Sequence, residues 1–264
     1  MNSLALKVAD DSLWSPRRAL RAYVAETRYE LMRILRTPAF ALPMILIPAA
    51  LYLLLAVFIF GEAIGKDPSL GVFMFAGFAV LAVSMPALFG IGTSLALERD
   101  MGLMRLKRAQ PAPTGAWLVA KIVCGLALSV MSFAPMLVIA IATGKVALGY
   151  GQLFALSAAL LSGSIPFCAL GLMIGALVSG SAAPGYANLI YLPGCYLGGL
   201  FFPLPKSMYW QTPIWPQFHI DQLAMHAAGV VKYQYIPVQL SIGVLVGYTA
   251  LFSAVAIWRL ARKG

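Results

Sequence analysis

A chain of 264 residues that is 61% hydrophobic and only 11% charged does not make a soluble globule, whose charged share is about 25%. Several apolar runs instead reach the length that crosses about 30 Å of hydrocarbon, roughly 20 residues. The formal charge of +10 fits basic loops facing anionic headgroups on one side of a membrane better than a nucleic-acid site.

Every backbone group inside hydrocarbon must be paired within the chain, which selects helices. The expected fold is therefore all-α. It is a polytopic membrane protein with six transmembrane helices, an N-terminal amphipathic interfacial helix and re-entrant outer helices before the last span. Residues 1–15 read as a flexible leader. Their polar start, with Asp10 and Asp11, lacks the short apolar core of a cleavable signal. Residues 16–264 read as one membrane domain.

From Pro16 to Pro38 the spacing predicts an amphipathic helix. Leu20, Val24, Thr27, Leu31, Ile34 and Leu35 recur on one face. Arg17, Arg21 and Arg28 line an edge of that face, while Arg18, Glu26, Arg33 and Arg36 fall away from it. Such a helix lies in the membrane interface against headgroup phosphates. Pro38 ends it, because the residue before a proline avoids the α region.

Six spans are expected, over about 39–60, 71–97, 116–143, 152–178, 183–202 and 235–258. Pro43 and Pro48 bend the first. No span carries a charge in its core, where one costs at least about 2.5–3.5 kcal/mol. Lys121, in the first turns of the third span, is expected to snorkel to the interface along its own stem.

Between the second and third spans lies ERDMGLMRLKRAQPAPTGAWLVAK, from Glu98 to Lys121. It holds Glu98, Arg99, Asp100, Arg105, Lys107, Arg108 and Lys121, and a stretch so charged must lie in water. Its short helix offers Met101, Met104 and Leu106 as apolar anchors for another protein, and Pro111 and Pro113 stop that helix. Fifteen of the nineteen basic residues fall in the N-terminal segment, this hairpin and the tail. Lys66, Lys145, Lys206 and Lys232 occupy the alternate loops. The positive-inside rule then puts both termini in the cytoplasm.

Residues 203–235 are too polar to cross and too apolar for a free loop. Pro203, Pro205, Pro213 and Pro216 break the segment, and Trp210 and Trp215 suit a membrane interface. From Pro216 a helix can begin, with His219, Gln222 and His226 sharing its polar face. Short helices dipping into the outer leaflet are expected here.

Chemistry-bearing patterns are few. The GxxxxGK[ST] phosphate loop is absent: Lys66 and Lys145 follow glycines but precede Asp67 and Val146. His219, Asp221 and His226 invite a metal or acid–base reading, but the histidines stand seven apart with no strong ligand spacing. Cys124, Cys168 and Cys195 lie in apolar runs, as buried thiols do. Gly171 and Gly175 form a GxxxG pair, used for close helix packing within the chain or across a dimer. Pro193 and Gly194 mark a place where the fifth span can bend.

Three runs carry a family resemblance: ETRYELMRILRTP entering the first span, the charged hairpin, and GGLFFPLP closing the fifth. Together they resemble the membrane (permease) subunit of a type 2 ATP-binding-cassette exporter, over nearly the whole chain after about residue 20. The family's hairpin pattern is acid, Arg, acid, then Gly, Leu, a basic pair, Pro and a later Lys. It is met by Glu98, Arg99, Asp100, Gly102, Leu103, Arg105, Lys107, Pro111 and Lys121, with Asp100 where Glu is more usual.

The resemblance implies that residues 98–115 form a coupling hairpin docked on an ATPase, through Glu98, Arg99, Asp100, Met101, Gly102, Met104, Arg105 and Lys107. It makes residues 16–38 the connecting helix, with Arg17, Arg21, Arg28, Glu30 and Arg33. Trp210, Trp215, His219, Gln222 and His226 belong to the outer re-entrant segment of residues 203–235. It further implies two copies of an ABC ATPase subunit, a homodimer of this chain or a heterodimer with a similar permease, and residence in the inner membrane. This chain binds no cofactor; ATP and Mg belong to the partner. The chain is then no enzyme by itself.

The uncharged path favours a hydrophobic or amphipathic, drug-like cargo. A lipid or lipid-linked glycan is the alternative, although the Tyr-x-x-Ser signature of glycan exporters is missing from RYELMRILRTP. A self-sufficient membrane enzyme or channel is the rival class, with only residues 219–226 to offer an enzyme polar groups.

Overall fold

The computed structural model describes residues 15–109, 113 and 115–263, apart from the side chains of Arg108 and Lys263. Residues 1–14 of the expected leader, and the helix stop at Pro111, lie outside the described residues. The described residues form helices and no strand. Helix α1 covers Pro16–Leu35, with a proline at its first position where no N–H is needed. Helix α2, Pro38–Tyr52, continues as a π-helical turn over Leu53–Ile59. A short α3, Gly61–Lys66, leads to α4, Pro68–Met85, whose first turn is capped by the Asp67 carboxylate accepting from the Ser69 N–H.

Helix α4 runs on through a π turn at Pro86–Gly90 into α5, Ile91–Asp100. A proline inside a helix forfeits a hydrogen bond and crowds the preceding turn, and a π turn absorbs both. After α6, Leu103–Ala109, come α7, Ala116–Thr143, and the pair α8, Tyr150–Ser162, and α9, Ser164–Leu177. Helix α10 covers Ala183–Leu197. A 3-10 segment, Lys206–Ile214, α11, Pro216–Ala228, a 3-10 turn, Val231–Tyr233, and α12, Val238–Lys263, complete the described chain.

Among the described residues, five helices are long and apolar enough to cross a membrane: Pro38–Ile59, Pro68–Asp100, Ala116–Thr143, Tyr150–Leu177 and Val238–Arg262. The expected span over 183–202 is shorter than the others. Helix α10 has 15 residues, about 22 Å of rise, and the chain turns at Gly198 and Gly199, the latter left-handed at φ 72°.

Helix α4 is the axis of the bundle. In the most apolar stretch of the continuous run Pro68–Asp100, which α4 begins, 94% of residues are buried, against 17% in α12, so this run is walled by protein while α12 presents its apolar face outward. Tyr52, Phe75, Phe78 and Phe133 pack edge-on or tilted around it. At Gly77 the backbone of Leu200 comes so close that a Cβ would stand 1.8 Å from its carbonyl oxygen. The GxxxG pair serves packing within the chain. A Cβ on Gly171 would meet the Leu88 carbonyl at 2.7 Å, and one on Gly175 the Gly92 carbonyl at 2.8 Å. Helices α9 and α5 thus cross backbone to backbone.

Candidate functional site

Helix α5 ends in three consecutive charges, and each takes a different direction. Glu98 turns inward and is 1% exposed. Its Oε1 accepts from Lys121 Nζ at 2.8 Å and from Arg33 Nη1, and its Oε2 lies 3.7 Å from Lys107 Nζ. Arg99 reaches the end of α9, where its guanidinium donates to the carbonyls of Gly175 (3.1 Å), Ala176 and Val178 (2.7 Å). A cation on the unpaired carbonyls of a helix C-terminus is favourable for both charge and hydrogen bonding. Asp100 Oδ2 accepts from the Gly180 N–H at 2.7 Å, in the loop before α10.

The chain then reverses at Gly102, whose φ of 71° lies in the left-handed region that a side chain disfavours. This turn lays α6 against α1, where a second buried acid waits. Glu30 is 4% exposed. It accepts from Arg33 Nη2 (2.8 Å), Lys107 Nζ (2.9 Å) and Lys121 Nζ (3.3 Å). Lys107 also reaches Glu26 at 2.8 Å, and Lys121 reaches Ser94 Oγ at 3.3 Å. Three acids and three bases from α1, α5, α6 and α7 thus form one charge-balanced knot. Burial alone would raise the Glu30 carboxyl, but Lys121, Lys107 and Arg33 together hold it below its ordinary value. Burial likewise opposes charge on Lys107, and Glu26, Glu30 and Glu98 outweigh it, raising the ammonium above its ordinary value.

One expectation is corrected here. Lys121 does not snorkel: its side chain is 1% exposed and turned onto Glu98 and Glu30, because partners on α1 and α5 replace the water it would otherwise seek. The α1 stripe meets the bundle only in part. Ile34 is buried, but Leu20 and Val24 are 65% and 59% exposed, and Glu30 takes the inward position between them. Arg17, Arg21 and Arg28 are exposed.

The expected docking set divides. Met104 is buried in the core, and Lys107 is bound up in the knot. Met101 and Leu106 stay exposed, at 63% and 62%, and Arg105 stands exposed between them in sequence. Sequence reasoning passed over Glu26 and Ser94. The available signal was two acids four apart, Glu26 and Glu30, on an otherwise basic helix: they share a helix face and call for cations.

At the opposite end of the bundle, Trp210 is exposed, while Trp215 is half-buried and donates to Gln211 Oε1 at 2.6 Å. The residues expected on a polar face of α11 point into protein. His219 is fully buried, its Nε2 2.7 Å from the Pro213 carbonyl and its Nδ1 3.4 Å from Ser241 Oγ. Gln222 donates to the Tyr233 carbonyl and accepts from the Tyr235 N–H. His226 Nε2 meets the Ile236 carbonyl at 2.8 Å. These side chains fasten α11 to the segments on either side of it, and His219, Asp221 and His226 do not converge on a common point.

With this geometry in hand, the comparison with known proteins is informative. Residues 21–220 match the sequence profile of the ABC-2 type transporter membrane domain. The chain belongs to the ABC-2 type transporter family. A Bacillus subtilis (strain 168) protein named "Putative transport permease YvfS" is 23% identical over 193 residues, covering 72% of this chain and 78% of that protein. The ABC-2 match takes in the whole knot and ends at Ile220, so that α12 and the end of α11 lie outside it. An ABC-2 permease is an integral membrane protein and the transmembrane subunit of an ABC transporter, working with a separate ABC ATPase. The knot ties α6 of the exposed hairpin to α1, α5 and α7.

Proposed function

We propose that this chain is the translocating subunit of an exporter that moves a hydrophobic or amphipathic, drug-like compound out of the cell, driven by ATP and Mg held on two copies of an ATPase partner. The observation that carries this reading is the division of the hairpin. Met101, Arg105 and Leu106 face outward, while Glu98, Arg99, Met104 and Lys107 anchor the same short element inward. An apolar anchor flanked by charge is how specific docking sites are built, the anchor giving affinity and the charge orientation. The knot supplies the rigidity that a force-bearing contact requires.

The rest of the reading follows from it. The hairpin end and both termini face the cytoplasm, and α10 with the turn after it makes a short sixth crossing. The 3-10 segment and α11 dip in from the outer side, anchored by Trp210. Two membrane subunits enclose the path, and the exposed Arg17, Arg21 and Arg28 meet anionic headgroups. All of this sits in the inner membrane.

The test uses Arg105→Glu with Leu106→Ser, neither of which touches the knot. The variant is expected to insert normally, to lose ATPase co-purification, and to stop ATP-dependent efflux of a hydrophobic dye from vesicles. Wild-type binding and efflux in the double variant would make the hairpin a solvated loop.

A further inference from the structure

Among the described residues, Asp221 is the one buried acid that the coupling reading leaves unused. It sits on α11, is 2% exposed, and its Oδ1 has no hydrogen-bond partner. Its Oδ2 is 3.4 Å from Gln222 Nε2, a weak contact at that distance. Among the described residues no Lys, Arg or His pairs with it. A charge in such a place is costly unless something neutralises it. Burial therefore pushes the carboxyl up to about 8, with Gln222 pulling slightly the other way.

The same residue lines a cavity of about 250 Å³, mouth included, at the end of the bundle away from the knot. Phe73, Tyr209, Phe218 and Tyr235 supply its ring walls and Thr212 a hydroxyl. The Phe218 and Tyr235 rings stack at 17°, and Tyr209 stands 4.9 Å from Tyr235 between centroids. The enclosed part has room for about one water-sized group.

We propose that this cavity binds the ammonium head of an amine, with Asp221 as counter-ion and the surrounding rings as a cation–π cage. An ammonium matches a water in size, donates to a carboxylate with charge assistance, and is attracted to ring faces. A metal ion fits less well. Calcium takes about six to eight oxygens, and the side chains here offer a single carboxylate and a few hydroxyls. The site rests on the export reading, and it narrows the cargo class to cationic amphiphiles whose head is held at the outer end of the path.

Binding and protonation exclude each other. An arriving R–NH₃⁺ meets Asp221 as a carboxylic acid, the acid gives its proton to water, and the carboxylate pairs with the ammonium. The titratable groups around the site are the phenols of Tyr209, Tyr233 and Tyr235. The Tyr235 phenol is pushed further up by burial and so stays neutral. Asp221 is then the group that sets the pH profile.

The experiment uses the full chain in nanodiscs of neutral lipid, with hexylamine as probe and hexanol as its uncharged counterpart, followed by calorimetry. Wild type is expected to bind hexylammonium and to tighten by up to about tenfold per pH unit on approaching pH 8 from below. Asp221→Asn is expected to weaken hexylammonium at least about tenfold, to abolish the pH dependence, and to leave hexanol alone. Should that variant fail to fold, Tyr209→Leu decides, with loss of hexylammonium but not hexanol expected. Equal hexylammonium binding by wild type and Asp221→Asn overturns the proposal. So does an Asp221-dependent heat with sodium chloride and no amine, which would mark an inorganic-cation site. Because binding is read without ATPase or nucleotide, its failure is separable from failure of the hairpin test.

Discussion

Two buried carboxylates, at opposite ends of this bundle, have opposite surroundings. Phe73 beside Asp221 and Glu98 in the knot belong to one continuous helical run, α4 to α5, and the 25 steps from one to the other in sequence rise about 37 Å. Glu98 meets Lys121 and Arg33 and lies near Lys107. Asp221 meets one weak amide and a cavity. Desolvation acts on both, so the difference lies in the partners. Where cations from three helices gather, burial yields a charged fastener. Where none is supplied, it yields a carboxyl pushed up by burial, beside a cavity. The first arrangement suits a part that transmits force, and the second suits a part that receives a ligand.

The sharpest way to break this contrast is to remove a cation from the knot. Lys121→Met keeps the volume of the stem and leaves Glu98 and Glu30 short of a partner. Breaking a buried pair from one side costs about 3–5 kcal/mol, so thermal unfolding in detergent should fall steeply. Adding Glu98→Gln should recover part of the loss. A single variant as stable as wild type would show that the knot holds nothing together.

The two ends should also answer pH in opposite directions. The Glu30 carboxyl is held below its ordinary value of 4.5. Its stabilisation is full above that value and fades as pH falls through the lowered one. Asp221 is raised from 3.8 to about 8. Its protonated form suits the fold, so stability at that end declines as pH climbs from about 4 and levels off above about 8. Unfolding followed by a probe near each end, pH by pH, should give profiles of opposite slope. Glu30→Gln should flatten one and Asp221→Asn the other. Parallel slopes in wild type would refute the comparison.

The hairpin contains a smaller version of the same division. Met104→Ala removes a side chain that is 4% exposed, and such truncations cost about 2–5 kcal/mol. Leu106→Ala, at 62% exposure, should stay within about 0.5 kcal/mol. Melting curves of the two variants compare them directly, and equal losses would mean that Leu106 is covered within the chain.

How much of this was legible in the sequence depended on how far apart the partners stand. The apolar runs and the hairpin between them were legible, because span length and charge density are local properties. Lys121 was misread because its fate depends on Glu30, 91 residues earlier, and a window around one lysine shows only the option of snorkelling. The inward role of Glu30 on α1 was hidden for the same reason: periodicity ranks side chains by hydropathy, and the partners of this acid include Lys107 and Lys121 on other helices. His219 and Gln222 looked like a polar face because their acceptors, the carbonyls of Pro213 and Tyr233, are backbone atoms that composition does not reveal. The short α10 was hidden because the chain turns at Gly199, and an apolar run reads the same through a turn.

The most local predicted effect concerns the turn that orients the hairpin. Gly102 has a φ of 71° and open space where a Cβ would stand, so Gly102→Ala meets no steric neighbour and the cost is conformational. Holding alanine in the left-handed region costs on the order of 1 kcal/mol. That is too little to unfold a bundle held by α4 and the knot, so the melting temperature should drop by only a few degrees. The strain is relieved most easily by letting α6 shift, and a shifted α6 moves Lys107 away from Glu26 and Glu30. Gly102→Ala should therefore loosen the hairpin more than the bundle. Hydrogen exchange would show faster opening over residues 103–109 with α4 unchanged. Acceleration spread evenly over both would mean that the turn supports the whole fold and not the hairpin alone.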